Sequence, residues 1–210
     1  MTADATFWDR IADRYAARPV KNMTAYEQTL ERTRAYLRDT DTVLELGCGT
    51  GTTALRLAGD AGQITATDIA PRMIAIARGK IAAQGADNVA AEVATAHDAP
   101  VPARGYDAVL GFNYLHLLPD MEETLARVHA MLRPGGLFIS KTVCLGAAPH
   151  LRALIWVMQR LGKAPHVRFL DVATLEAAIA AQGFEIVETG DYPARPVSRF
   201  VVARKAEARG

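Results

Sequence analysis

Residues 43–51 read Val-Leu-Glu-Leu-Gly-Cys-Gly-Thr-Gly, an apolar run that meets three glycines at every second position. The pattern predicts a strand, a tight turn and the start of a helix. Glycines at 47, 49 and 51 leave the turn free of side chains, so a ligand can approach the backbone. Glu45 sits two residues before the first glycine. It places negative charge beside the turn, which suits a positively charged ligand better than a phosphate.

The segments around this turn alternate between the two periodicities. Strands are expected at 43–47, 63–68, 89–94, 106–112 and 137–143, with helices at 52–60, 71–84 and 121–132. Two amphipathic helices, 6–18 and 24–38, precede them. Helices at 150–162 and 172–182 and strands at 184–189 and 198–204 follow. Alternating strands and helices imply βαβ units and a parallel sheet with right-handed crossovers. The ligand then lies outside the carboxyl ends of the strands. Two late strands in succession imply an antiparallel finish.

Three ligands fit a glycine-rich turn in such a sheet, and spacing separates them. A P-loop needs Gly-Lys-Ser/Thr at the helix start; this chain has Gly51-Thr52-Thr53. A dinucleotide fingerprint needs its third glycine three positions after the second; that position is Thr52. A nucleoside with a cationic, phosphate-free tail remains. Asp68 ends the second strand, at the offset of an acid that accepts both ribose hydroxyls. The alternative is that Asp68 caps the helix at 71–84.

Four segments in order resemble the class I S-adenosylmethionine-dependent methyltransferases. Val43 to Gly51 is similar to their first motif, and Thr65-Ala-Thr-Asp-Ile-Ala-Pro-Arg-Met-Ile74 to their second. Tyr106 to Leu118 resembles the fourth-strand motif, and Leu132-Arg-Pro-Gly-Gly-Leu-Phe138 the turn before strand five. The resemblance covers about residues 40–205. It implies an α/β, Rossmann-like doubly wound sheet of seven strands, mostly parallel with an antiparallel C-terminal hairpin strand and helices on both faces. It implies S-adenosyl-L-methionine as cofactor and S-adenosyl-L-homocysteine as product. Glu45 would help hold the methionine ammonium through water, and backbone at Gly47, Cys48, Gly49 and Gly51 would lie along methionine and ribose. Asp68 would bind the ribose hydroxyls, and Ile69 would pack on adenine. The family often has an acid on the adenine amino group where this chain has Thr95. The Thr95 hydroxyl and the Ala96 backbone are left to meet the base, with Asp98 further along the loop.

The loop after strand four borders the methyl group in the family, which makes Asn113, Tyr114 and His116 the candidates for catalysis, Asn113 also for cofactor contact. His116 titrates near neutrality and reads either as a base or as a packing histidine. Tyr114 reads as a pocket wall or as packing, and Asp107 as a residue at the start of its strand. His97, His129, His150 and His166 form no constellation, and no metal-ligand spacing occurs. Tyr15 and Tyr26, with Trp8, would come from an N-terminal helical lid and meet the substrate. The helix at 150–162, with Leu151, Leu154, Ile155, Met158 and Leu161 on one side, would form the opposite wall. Arg195, with Arg199, would read an anionic substrate or stay solvated.

The expected organisation of the 210 residues is a single domain: a lid at 1–40, a cofactor core at 41–145, an insertion at 146–170 and a closing helix and hairpin at 171–210. The net charge of +1 gives no case for nucleic acid. No 20-residue apolar run spans a bilayer, and the N-terminus has no secretion-signal pattern. Cys48 and Cys144 form no disulfide framework. These features point to a cytoplasmic enzyme with a small-molecule substrate. A second function stays open, a catalytically silent S-adenosylmethionine-binding partner subunit.

Overall fold

A computed structural model describes residues 3–146 and 149–207. The chain opens with α1 (Ala3–Ala16) and α2 (Met23–Arg34). Then come β1 (Thr42–Leu46), α3 (Thr52–Arg56), β2 (Gln63–Asp68), α4 (Pro71–Gln84), β3 (Val89–Val93) and β4 (Tyr106–Phe112). The second half contains α5 (Met121–Met131), β5 (Leu132–Val143), α6 (Pro149–Arg160), α7 (Val172–Ala181), β6 (Phe184–Ala194) and β7 (Val197–Lys205). The strands form one sheet in the order β3-β2-β1-β4-β5-β7-β6. β7 is antiparallel to both its neighbours, and the other pairs are parallel. The expected seven-stranded, doubly wound sheet with its reversed hairpin strand is thus present.

Strand alternation divides the core between the two faces. Leu44 and Leu46 of β1, Val109 of β4, Phe138 of β5 and Val201 of β7 pack under α5 and α7. Val43, Leu110, Ile139, Phe200 and Val202 point the other way, toward Leu30 of α2, Ala54 of α3 and Ile74 of α4. Such a two-sided sheet explains the nearly continuous apolar run in each central strand. The N-terminal helix docks on α4: Asp9 accepts the Arg72 N–H at 2.8 Å, and Ala12 packs with Ala70 and Met73. Arg32 of α2 makes a two-pronged ion pair with Glu188 of β6 at 2.7 and 2.5 Å, and the Tyr36 hydroxyl donates to the same carboxylate.

Four element boundaries shift by four residues or more from the sequence expectation. The helix expected at 24–38 ends at Arg34, where Tyr36 and Leu37 make the shorter i→i+3 bonds of a tightened last turn. The helix at 52–60 splits into α3 and a 3-10 turn, Ala58–Asp60. β5 begins at Leu132 because Arg133 to Gly136 form a bulge where the register against β4 shifts. The last two strands run on to Ala194 and start again at Val197, so the loop expected at 191–196 shrinks to Arg195-Pro196. Pro193 lacks an N–H, and β6 tolerates it as an edge strand with a register shift between Asp191 and Ala194.

Order reverses between β1 and β4, and a crevice opens there at the carboxyl ends. Leu110, fully buried in β4 at this junction, tests the core. Leu110→Ala is expected to lower the unfolding free energy by about 2–5 kcal/mol at unchanged urea m-value. A loss below ~1 kcal/mol in urea titrations would contradict the packing described.

Candidate active site

The turn after β1 is held from two sides. The Cys48 N–H donates to the Thr67 carbonyl at 2.9 Å, and the Gly49 N–H donates to Asp68 Oδ2 at 2.9 Å. The Gly51 N–H closes onto the Cys48 carbonyl at 3.1 Å. These three N–H groups are therefore spent inside the protein, which disfavours a phosphate cradle on physical grounds as well as by spacing. All three glycines have positive φ, at 66°, 55° and 72°. At Gly47 a Cβ would lie 2.6 Å from the Tyr114 ring, and at Gly51 2.9 Å from the Ala77 Cβ. Close packing thus demands glycine at 47 and 51, a reason the ligand-access argument did not contain. Only Gly49 faces a looser neighbour, the Tyr15 ring at 3.6 Å.

Asp68 accepts from two backbone groups, Gly49 through Oδ2 and Ala70 through Oδ1, both at 2.9 Å. Ala70 stands before the first turn of α4 and receives no side-chain cap, so Asp68 shapes the approach to that helix without capping it. Asp68 stays partly exposed, with further lone pairs on each oxygen. Burial pushes its pKa up, against the two N–H donors that pull it down.

Glu45 is the most strained electrostatic element of the site. It is 3% exposed, and burial raises its pKa to about 8. The Ala54 N–H, near the start of α3, partly offsets that rise. Its Oε2 is buried without a hydrogen-bond partner. Glu45 lines a cavity of about 470 Å³ together with Tyr15, Tyr26, Gly47, Cys48 and Asn113. Tyr26 is fixed there by a 3.2 Å hydrogen bond with Thr53. A buried, unpartnered carboxylate oxygen on a residue of the cavity wall asks for a cationic donor.

The other expected site residues are distributed unevenly. Asn113 has φ +53°, in the left-handed region that asparagine tolerates, and its N–H donates to the Lys141 carbonyl at 2.7 Å. The ring of Tyr114 covers Gly47 and Gly111 and does not line the cavity; burial raises its phenol well above the usual range. His116 is buried in the 3-10 turn Leu115–Leu117, away from the cavity wall. Its Nδ1 has no partner among the described residues, and burial lowers its pKa to about 4. Thr95 donates its hydroxyl and its N–H to Asp98, at 2.5 and 2.6 Å. Asp98 is thereby occupied, while the Thr95 oxygen keeps a lone pair for a donor. Ile69 is half-buried beside Asp68, and Ala96 is buried.

On the substrate side Arg195, Arg199 and the described residues of α6 all lie off the cavity wall. Arg195 is exposed in the β6–β7 turn, outside the cavity wall; its neighbours Tyr192 and Pro193 line the wall instead. Arg199 is held by Glu176 at 2.7 Å and Asp191 at 3.1 Å, a link between α7 and the hairpin. No described residue of α6 lines the cavity, and Leu154 and Leu161, expected on one side of that helix as a pocket wall, are 54% and 62% exposed. The Leu151 side chain lies outside the described residues. Trp8 stacks edge-on with Phe7 and Tyr15 and packs beside the α1–α4 contact. Asp107 accepts the Thr42 N–H at 2.7 Å and pairs with Arg133, so it ties the starts of β1, β4 and β5 together.

Sequence reasoning missed Lys141, Thr29, Ser198 and Tyr192, all on the cavity wall. The available signal for Lys141 was Ser140-Lys141-Thr142, a polar run inside an apolar central strand.

Comparison with known proteins matches the same framework. The methyltransferase domain family matches residues 14–189. The chain belongs to that family. Aklanonic acid methyltransferase DauC of Streptomyces sp. (strain C5) is 36% identical over 114 residues, 52% of each chain. The ubiquinone biosynthesis O-methyltransferase of Methylocella silvestris is 29% identical over 174 residues, covering 80% of this chain and 60% of that protein. The structure of DhpI in complex with SAH superposes with a TM-score of 0.75 at 25% identity, covering 97% of this methyltransferase domain and 96% of DhpI. The chain spans about half the length of the first curated relatives it matches. Among the described residues no helix is long and apolar enough to cross a membrane, and no cluster of metal-ligating side chains occurs.

The two perturbed groups give the domain a specific pH response. Glu45, raised from 4.5 to about 8, binds its proton more tightly when folded, so its contribution to stability falls as pH rises through that window. His116, lowered from 6.5 to about 4, binds its proton less tightly when folded, so stability is lost as pH falls from 6.5 toward 4. The slopes oppose each other between 4.5 and 6.5, and above 6.5 that of Glu45 stands without that of His116. Thermal unfolding without ligand is expected to show a Tm that drops from pH 6.5 to 8, and Glu45→Gln to flatten the drop. An equal slope in the variant would refute the burial of an unpaired carboxyl.

Proposed function

We propose that this chain is an S-adenosylmethionine-dependent methyltransferase acting on a small-molecule acceptor. The observation that carries the reading is the unpartnered, buried Oε2 of Glu45, a residue of the cavity wall. A methionine ammonium supplies the donor this oxygen lacks, and its charge returns Glu45 to the ionised form. Asp68 accepts the ribose hydroxyls with its remaining lone pairs. Ile69 packs on adenine, the Thr95 oxygen accepts from the adenine amino group, and the Ala96 backbone meets the ring. Gly47, Cys48, Gly49 and Gly51 form the backbone floor.

The bound cofactor supplies an electrophilic methyl group on a sulfonium, whose bonding pair stays with sulfur on transfer. The protein's part is to hold an acceptor in line with that methyl and to exclude water. Tyr15 and Tyr26 close the cavity from the N-terminal segment 1–40, and Tyr192 closes it from the hairpin. Asn113 sits at the rim of the crevice, where its backbone is pinned to β5. Small acceptors suit a cavity of about 470 Å³. DauC and the ubiquinone enzyme, by their names, methylate small molecules. The net charge of +1 favours no nucleic acid. We assign the protein to the cytoplasm.

One observation keeps the silent-subunit reading in view. Among Asn113, Tyr114 and His116, neither titratable group reaches the cavity wall. A screen of small acceptors that follows S-adenosylhomocysteine release separates the two, because a silent subunit turns none over.

Calorimetry tests the cofactor assignment itself. S-adenosylhomocysteine is expected to bind and NAD is not. Asp68→Asn, which keeps an oxygen for one backbone N–H, is expected to weaken that binding at least tenfold, about 1.4 kcal/mol. Absence of binding to the unaltered protein at millimolar ligand would sink the proposal; unchanged affinity in the variant would remove Asp68 from it.

A further inference from the structure

Lys141 is on the cavity wall, and the cofactor has no use for it. It lies in β5 between β4 and β7, 7% exposed. Its Nζ donates to Thr29 Oγ1 at 3.1 Å. The Thr29 hydroxyl gives its own proton to the Ala25 carbonyl at 2.7 Å, so it can only accept from the amine. An ammonium has three N–H donors, and the described residues offer this one acceptor and no carboxylate. Burial accordingly lowers the Lys141 pKa. A lysine is rarely buried without a counter-ion, because the lost hydration is not returned. A ligand that brings an anion returns it.

The rest of the wall points the same way. Arg18 and Lys21, both exposed on the chain between α1 and α2, line the same cavity and have no side-chain partner among the described residues. Against these three cations stands one carboxyl group, Glu45. The cavity therefore has an acid on β1 and an amine on β5. Phe112, Tyr26 and Tyr192 add aromatic surface around them.

We propose that Lys141 receives the acidic oxygen of the acceptor, a phenol or enol, which binds as its anion against the amine. This rests on the methyltransferase reading and names the acceptor class for it. A neutral acceptor gives its proton to the unprotonated form of the amine: its O–H bond breaks and an N–H bond forms on Lys141. The oxygen keeps the bonding pair and becomes the nucleophile. Once the oxygen is methylated it has no charge, the ammonium loses its partner, and the proton passes to water as the product leaves. An acceptor that arrives ionised pairs with the ammonium directly and reaches the same state.

The probe is 4-nitrophenol, whose two protonation states differ in colour. The wall also presents Tyr15, Arg18 and Lys21 from the N-terminal segment, Tyr26 from α2, Glu45 from β1, Cys48 from the glycine turn and Tyr192 from β6. A Glu45→Gln control therefore accompanies each titration. With the full chain in excess, bound 4-nitrophenol is expected to titrate lower than free 4-nitrophenol by about one pH unit or more. Lys141→Met is expected to abolish that shift while retaining S-adenosylhomocysteine affinity by calorimetry, and Lys141→Arg to keep the shift. No binding at millimolar 4-nitrophenol, an unshifted titration, or an equal shift in Lys141→Met overturns the proposal. So does Lys141-dependent binding of benzoate without binding of 4-nitrophenol. An unshifted wild-type titration overturns the proposal even where Lys141→Met fails to fold, and Lys141→Arg, which keeps the charge, then carries the attribution among Arg18, Lys21 and Lys141. If S-adenosylhomocysteine binds and the phenol arm fails, only the role of Lys141 falls; if S-adenosylhomocysteine does not bind, the underlying reading falls first.

Discussion

The carboxylate of Asp68 holds the site in place. It accepts one N–H from the turn after β1 and one from the approach to α4. Because Cys48 is also bonded to the last residue but one of β2, the turn cannot shift along its neighbouring strand. Two βα units therefore share one anchor, and the sheet edge, the glycine turn and the helix start keep a fixed relation. A ligand that binds Asp68 meets an oxygen pair already oriented by backbone, so little ordering is left for the moment of binding. Replacing the acid by an apolar residue would loosen the turn as well as remove a ligand contact. The two consequences have one physical cause.

The cavity beside this anchor contains groups that cost stability. Glu45 and Lys141 are both buried in a way that disfavours their charged forms, one through an unpaired oxygen and the other through unpaired N–H donors. The protein places them on β1 and β5, with β4 between the two strands, and both residues line the same cavity. Proteins retain such unfavourable arrangements where function uses them. On the proposed reading two ligands would satisfy them side by side, a cofactor ammonium at Glu45 and an acceptor oxygen at Lys141. Binding energy then comes largely from relieving penalties that the fold already contains.

The framework of this protein was legible because its signals are local. Strand alternation placed the five parallel strands, and an acid two residues before a glycine turn marked Glu45. The spacing of Asp68 marked the strand end. What escaped depends on contacts between distant segments. Gly47 and Gly51 are glycines because Tyr114 and Ala77 come close, which no local pattern encodes. His116 has the sequence position of a base, but its turn folds the ring inward. Arg195 looked exposed and cationic, and so it is, while the hairpin turns the adjacent Tyr192 and Pro193 to the cavity instead. The stripe on α6 has helical period, yet several of its apolar residues face solvent, because periodicity defines a face and not what covers it.

On the reading proposed for Lys141, one wall of the cavity is the acceptor end of the site. The cofactor end uses backbone turns and strand termini, which the sheet topology dictates. The acceptor end draws on α2, the segment before it, β5 and the β6–β7 hairpin, elements joined mainly by the Arg32–Glu188 pair and the antiparallel ladder. Substitutions there leave the anchor at Asp68 untouched. On that reading, a change of cation, aromatic or hydroxyl on the wall would alter which acceptor is held and leave the turn around Asp68 as it is. One sheet can thereby serve many acceptors, and the chemistry of this one is written in the side chains around the buried amine.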